Sequence, residues 1–205
     1  MKKTNVVTTP GFFISIKVLV VSIFMALCFR YEAKADIVIA ADAIYFNSAL
    51  TSASSAASGG LTFYDLSLFV NPLNSARVYL GATFLGLSTT DTDISSVLTS
   101  FASQDIALSM RTYLDRSKSS SLTFGYSFYS KGTFVTGSGS TETWTGTSIL
   151  VNLSYMPRLR DNFNFGISLT YYGGSYARRI VNTTTDAISA KKTVIIPTLC
   201  MEYEF

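Results

Sequence analysis

Six charged residues, Asp42, Asp65, Arg77, Arg111, Glu202 and Glu204, recur at spacings that would set them on one side of extended chain segments. Enclosed together, carboxylates and guanidiniums pair with one another, because an unpaired buried charge is strongly unfavourable. Such a set builds a polar network more readily than a proton-transfer site. The chain has no histidine, and no other unperturbed side chain titrates near neutral pH. Serines are abundant, but Lys118, Lys131, Lys191 and Lys192, any of which could activate one, fall in turns and loops where lysines are ordinarily solvated. Asp91 and Asp93 could help to hold a Ca²⁺ ion, yet the string around them lacks the remaining oxygen ligands. With no histidine and only Cys28 and Cys200, zinc and iron centres are equally unsupported. The expectation is no catalytic residue, no metal, no cofactor and no enzymatic activity.

Strand alternation is what positions the charges. The terminal segment LCMEYEF sets Leu199, Met201, Tyr203 and Phe205 against Cys200, Glu202 and Glu204. Successive strand side chains point to opposite faces, so one face can meet hydrocarbon only if the other meets a polar interior. The split recurs in residues 61–70, where Tyr64, Leu66, Leu68 and Val70 oppose Phe63, Asp65, Ser67 and Phe69. In 104–114 it separates Ile106, Leu108, Met110 and Leu114 from Asp105, Ala107, Ser109, Arg111 and Tyr113. Segments 121–130 and 162–172 carry Thr123, Gly125, Ser127 and Asn164, Gly166, Ser168, Thr170 along one whole face. A water-soluble barrel with a greasy core would not place small and polar residues there. The remaining predicted segments are 37–46, 76–87, 145–156 and 193–205, eight in all. The first is apolar on both faces, and only Asp42 indicates which one turns inward.

Connector lengths alternate as well. Residues 71–75, 115–120 and 157–161 are tight and rich in Pro, Asn, Asp and Ser. Residues 47–60, 88–103, 131–144 and 173–192 are longer and rich in Ser, Thr and Gly. Segments of about 10 residues, tilted near 45°, match a bilayer core. Aromatics fall at the two levels where interfacial girdles are expected: Tyr155, Phe163, Phe165, Tyr203 and Phe205 at the turn end, and Tyr64, Phe84, Phe128 and Tyr171 at the loop end. Trp144, the one tryptophan, is expected as an interface anchor. Eight strands enclose a lumen that side chains can fill, and inward Phe63, Phe69, Tyr79, Leu150 and Met156 favour a packed one.

The other terminus reads as an address. Lys2 and Lys3 precede an apolar stretch, and Ala33-Lys34-Ala35 is a small-x-small cleavage pattern, so residues 1–35 are expected to be a Sec signal peptide. The longest uncharged apolar run, Val18 to Phe29, is 12 residues, short of the roughly 18 that an anchoring helix needs. Leu27 before Cys28 argues against lipidation. Five of the 16 basic and one of the 13 acidic residues lie in that segment, which leaves 11 and 12, a net charge of −1 on residues 36–205. The basic pI therefore implies no nucleic-acid partner. Cys200 alone forbids an intramolecular disulfide.

Signal segment, eight strands, alternating connectors and a terminal phenylalanine together resemble the small outer-membrane barrels of diderm bacteria, the group that includes the OmpA barrel, OmpX and OmpW. The resemblance covers residues 36–205 and rests on architecture. It implies an all-β, eight-stranded antiparallel up-and-down transmembrane β-barrel, with the N-terminus and short turns periplasmic and the longer loops extracellular. It further implies that Leu199, Met201, Tyr203 and Phe205 form the signal read by the barrel-assembly machinery, with no OmpA-type extension beyond them. Similarity to barrel-type deacylases, palmitoyl transferases, phospholipases and omptin-like proteases stops at the scaffold, since those mechanisms generally use an imidazole.

The expected protein is a monomer in outer-membrane lipid, with a polar plug of Asp42, Asp65, Arg77, Arg111, Glu202 and Glu204. Arg178, Arg179, Lys191 and Lys192 are candidates for contact with lipopolysaccharide phosphates. Its expected role is non-enzymatic: envelope integrity, or surface interaction through the loops. The alternative is a narrow porin-like channel or transporter for ions or small apolar molecules, and a third is a secreted carrier of lipocalin type.

Overall fold

The computed structural model describes residues 36–51, 56–72, 77–92, 97–137 and 141–205. The expected signal peptide, with Cys28, and Asp93 lie outside them. Nine strands form one antiparallel sheet: β1 Ile37–Thr51, β2 Ala56–Val70, β3 Val78–Thr92, β4 Leu98–Tyr113, β5 Ser120–Thr136, β6 Thr141–Tyr155, β7 Arg158–Arg160, β8 Phe163–Val181 and β9 Thr184–Glu204. Neighbours in sequence pair, β6 pairs with β8, and β9 returns to β1, so eight strands close a ring while β7 is a short ribbon beside β8 in the β6–β8 turn.

Burial follows the period of two. In β4, residues from Phe101 to Arg111 alternate strictly between buried and exposed. Outward, Leu66, Leu108, Phe124, Leu153, Ile167, Ile195 and Leu199 form an exposed apolar belt. Inward, serines, threonines and asparagines line the wall with a few large side chains between them. Phe63, Phe69, Tyr79, Leu150 and Met156 are buried as the alternation requires, and Val38, Ala40 and Asp42 settle the inward face of β1. Gly81 answers a close approach, because a Cβ there would stand 2.0 Å from the Leu68 carbonyl oxygen.

The strands at the end away from the termini run further than the alternation indicated. Most of 47–60, 88–103, 131–144 and 173–192, expected as loops, is ladder, and the last hairpin turns at Asn182 and Thr183 alone, with Asn182 in the left-handed region (φ 54°). The reason is solvation. Where the outward face leaves the apolar belt and carries Lys131, Ser175 and Lys191 in place of Leu or Ile, the apolar period vanishes while the backbone hydrogen bonds and the β propensity of threonine persist. The other end holds tight turns. In β4–β5, the Asp115 carboxylate accepts from the Ser119 hydroxyl (2.6 Å), the Ser120 N–H (2.7 Å) and the Ser117 hydroxyl. The Ser117 and Ser119 hydroxyls, with the backbone N–H groups, hold that carboxyl well below the usual carboxylate range.

Candidate functional site

The interior is layered. At the turn end, Glu204 pairs with Lys118 and with Arg158 (3.5 Å), and Lys118 reaches Asp36 (3.8 Å) and donates to the Tyr79 hydroxyl (3.0 Å). Lys118 sits at φ 56°, a left-handed conformation that a non-glycine residue adopts at a cost. That turn aims its ammonium back over the rings of Tyr79 and Tyr113, at 5.5 and 5.7 Å from their centroids. Burial lowers the Lys118 pKa, but the bonds to Glu204 and Tyr79 outweigh it, so the net direction is upward.

Above this rim lies the ion pair Arg111–Glu202, both side chains almost wholly buried. Arg111 Nε donates to Thr123 Oγ1 at 2.9 Å, and its guanidinium lies 4.9 Å from the Phe69 ring centroid. Glu202 Oε1 accepts from the Tyr113 hydroxyl (2.7 Å) and the Asn164 amide (3.1 Å). Each charge is thus both paired and hydrogen-bonded, the condition under which a buried ion pair is tolerable.

The next layer is built around Asp42. Its Oδ2 accepts from the Asn152 amide (2.5 Å) and the Ser168 hydroxyl (2.7 Å), and Ser168 bonds Thr198 in turn. Asp65 stands directly opposite Asp42 in the β1–β2 register. A hydroxyl chain, Ser67–Thr83–Ser109, crosses β2, β3 and β4 at 2.8 and 2.7 Å. Higher still, Asp105 Oδ2 accepts from the Ser148 hydroxyl (2.7 Å) and the Tyr172 hydroxyl (2.9 Å), and Tyr172 reaches the Tyr176 hydroxyl at 3.0 Å. Phe63, Leu85, Leu87, Phe101, Leu150 and Ile196 pack around those tyrosines as an apolar cluster.

Among the described residues, the buried charged groups are Asp42, Asp65, Asp105, Glu202 and Arg111, four carboxylates to one guanidinium. Of the expected plug residues, Asp42, Asp65, Arg111 and Glu202 are interior. Arg77 is not: it is exposed in the bend before β3, where the sheet has ended, and contributes its carbonyl to the Tyr113 N–H (3.0 Å). Glu204 belongs to the rim cluster, not to the deep lumen. Asp105 and Lys118 complete the network although the pattern did not single them out. Asp105 shares the parity of Arg111 six residues later, so its signal was present; Lys118 depends on a turn conformation that no spacing encodes.

The remaining candidates divide. Leu199, Met201, Tyr203 and Phe205 all face outward, with the last two rings edge to face at 4.7 Å. Arg178 and Lys191 are exposed. Arg179 is already engaged with Asp186 (3.1 Å) and Glu142 (3.7 Å), and Lys192 is half-buried over Phe101. Trp144 is not an outward anchor. It continues the inward parity of Ser154, Asn152, Leu150 and Ser148, stacks on Phe134 at 4.9 Å and donates to Glu142 (2.8 Å). Cys200 is buried, as expected of a small interior side chain.

No protein-family model matches the chain, and no curated protein matches it. Among solved structures, it is similar to Neisserial surface protein A (NspA), with 16% identity, a TM-score of 0.46, and coverage of 83% of this chain and 96% of that one. A second similarity is to OmpT, an outer membrane protein of Vibrio cholerae folded in vitro, with 10% identity, a TM-score of 0.25, and coverage of 85% of this chain and 62% of that one. Neither similarity bears on what this barrel does.

Removing Arg111, the only fully buried cation among the described residues, should be costly. Arg111→Ala leaves Glu202 buried without its partner, and a destabilisation of roughly 3–5 kcal/mol is expected in urea unfolding of the refolded protein. Arg77→Ala, at an exposed bend, should stay within about 0.5 kcal/mol of the parent. Equal losses for both would contradict the layering described. The rim has its own pH signature. Because the Lys118 pKa is raised from its ordinary 10.5, its contribution is fully present below that value and is lost as pH rises through the folded one. Unfolding midpoints of the parent should therefore fall in alkali more steeply than those of Lys118→Met; parallel curves would count against the rim cluster.

Proposed function

We propose that the chain is an integral, non-enzymatic barrel of the bacterial outer membrane, with a lumen closed by side chains, serving envelope integrity or surface interaction through its exposed hairpins. One observation carries the reading: the outward face of the ring is a continuous apolar belt, while the inward face is a bonded polar network. A soluble carrier would need the reverse. Exposed patches of monomeric soluble proteins rarely exceed a few hundred Å², and a belt encircling the ring is what bilayer hydrocarbon covers. In this reading the termini and tight turns are periplasmic and the long hairpins extracellular. Outer-membrane lipid surrounds a monomer, Arg178 and Lys191 meet lipopolysaccharide phosphates, and the outward residues of the last strand are read by the barrel-assembly machinery.

A non-enzymatic role accords with the absence of histidine and with serine hydroxyls committed to one another, as in Ser121–Ser154 at 2.6 Å. A second reading, a narrow cation-conducting channel, is favoured by the excess of interior carboxylates over Arg111.

Membrane fractions washed with carbonate should retain the protein, and the folded form should run differently from the boiled form on a gel. Leu108→Arg, on the outward belt near mid-strand, should lower folding stability in bilayers by about 2–4 kcal/mol. Release by carbonate, or an indifferent Leu108→Arg, would overturn the membrane reading.

A further inference from the structure

The ring is not equally closed at every seam. Between β1 and β9 the ladder runs only from Val38–Glu204 to Ala43–Leu199 and stops there, although β1 continues to Thr51 and β9 begins at Thr184. Every other seam of the ring is paired further: β1 follows β2 to Thr51, and β9 follows β8 to Thr184. Continued in register, Ile44 would face Thr198 and Tyr45 would face Pro197.

The stop has a chemical cause. The Phe205 N–H donates to the Ile37 carbonyl at 2.8 Å, whereas the Glu204 N–H donates away from β1, to Asn162. In an antiparallel ladder these directions alternate, so the odd-numbered residues of β9 turn their N–H groups toward β1. Pro197 is one of them. The hydrogen-bonded pair that should follow Ala43–Leu199 is Tyr45–Pro197, and one of its two donors, a Pro197 N–H, does not exist. On the β8 side, Pro197 faces Leu169 at a position where no N–H is called for. A proline tolerated by one neighbour and refused by the other is the mark of an edge strand.

An apolar groove of about 590 Å³ runs across the outer faces of β6, β8 and β9, from Leu114 and Tyr155 to this break. Outward Ile167, Leu169, Pro197 and Leu199 line it, and so does Ile44, which has inward parity and packs against the luminal apolar cluster. The groove is thus part of the outer belt and ends at the unpaired stretch of wall, where Ile44 touches both it and the luminal cluster. Its volume lies in the range of small-ligand sites.

We propose that the β1–β9 seam, held open by Pro197, is a lateral site for one acyl chain of a surrounding membrane lipid, which lies over Pro197 and Leu199 and reaches Ile44. The occupant follows from the surroundings: the groove is apolar and continuous with the belt, and acyl chains are what that belt meets. The inference rests on the membrane reading above.

Trp144→Phe supplies a tryptophan-free parent, since the chain has a single tryptophan. Single tryptophans are then placed at Ile44, at outward Leu169 and at inward Leu150, and the refolded proteins are titrated with phospholipids brominated along their acyl chains. Ile44→Trp should be quenched to an extent comparable with Leu169→Trp, with Leu150→Trp shielded. Adding Pro197→Val restores the missing donor, lets the ladder zip, and should shield Ile44→Trp. If Ile44→Trp is as shielded as Leu150→Trp while Leu169→Trp is quenched, no acyl chain enters the seam, and the proposal fails although the membrane reading stands. If Leu169→Trp is itself unquenched, the membrane reading fails first. Quenching at Ile44→Trp that survives Pro197→Val would overturn the role assigned to the proline. Folding of each variant is checked by gel mobility, and should Ile44→Trp not fold, Thr198→Trp, which lines the same groove, takes its place with the same expected and overturning results.

Discussion

One guanidinium carries the burden of the interior. Four carboxylates are buried in the described part of the barrel, and Arg111 is the only buried cation that faces them. Its position decides the rest of the layer: Glu202 must sit against it, Tyr113 and Asn164 must complete Glu202, and Thr123 and the Phe69 ring must occupy its remaining sides. Charges enclosed by eight strands have no bulk water to retreat to, so the network is satisfied as a unit or fails as one. Asp42 and Asp105, further up, are instead held by hydroxyl and amide donors.

The wall and the filling are two expressions of the same alternation. Every long strand but β1 gives Ser, Thr or Asn to the lumen as well as an apolar side chain to the outer belt, and large side chains such as Phe63, Tyr172 and Ile196 occupy the space that hydroxyls leave. Rigidity is not uniform around the ring. Ladders of 13 to 18 residue pairs, four of them with a bulge, bind seven of the eight seams, whereas the β1–β9 seam depends on six residue pairs from Val38 to Ala43. The turn-end cluster of Lys118, Glu204 and Asp36 sits at the foot of that short ladder, so ionic contacts reinforce the barrel where backbone pairing is briefest.

Much of this was legible in the residues alone, and the reasons are specific. Alternation reports the difference between two environments, so strand faces could be read wherever one side was apolar, as in 61–70 and 162–172. It fell silent above the belt, where Ser- and Thr-rich ladder was taken for loop. Parity placed Asp42, Asp65, Arg111 and Glu202 in the lumen, and the same rule, carried through, reaches Asp105 and Trp144. Arg77 escaped it because parity has meaning only inside a ladder, and the ladder starts one residue later at Val78. Neither Lys118 nor Pro197 is marked by any spacing: the first depends on a left-handed turn, the second on which neighbour each amide of β9 addresses.

The proposed seal of the lumen is the network around Arg111. Single-channel recording on refolded protein in planar bilayers tests it most directly, with the parent and Arg111→Ala compared under the same salt. No steady conductance from the parent and a persistent leak from the variant are expected; steady opening of the parent, unchanged in Arg111→Ala, would show that these side chains do not seal the lumen.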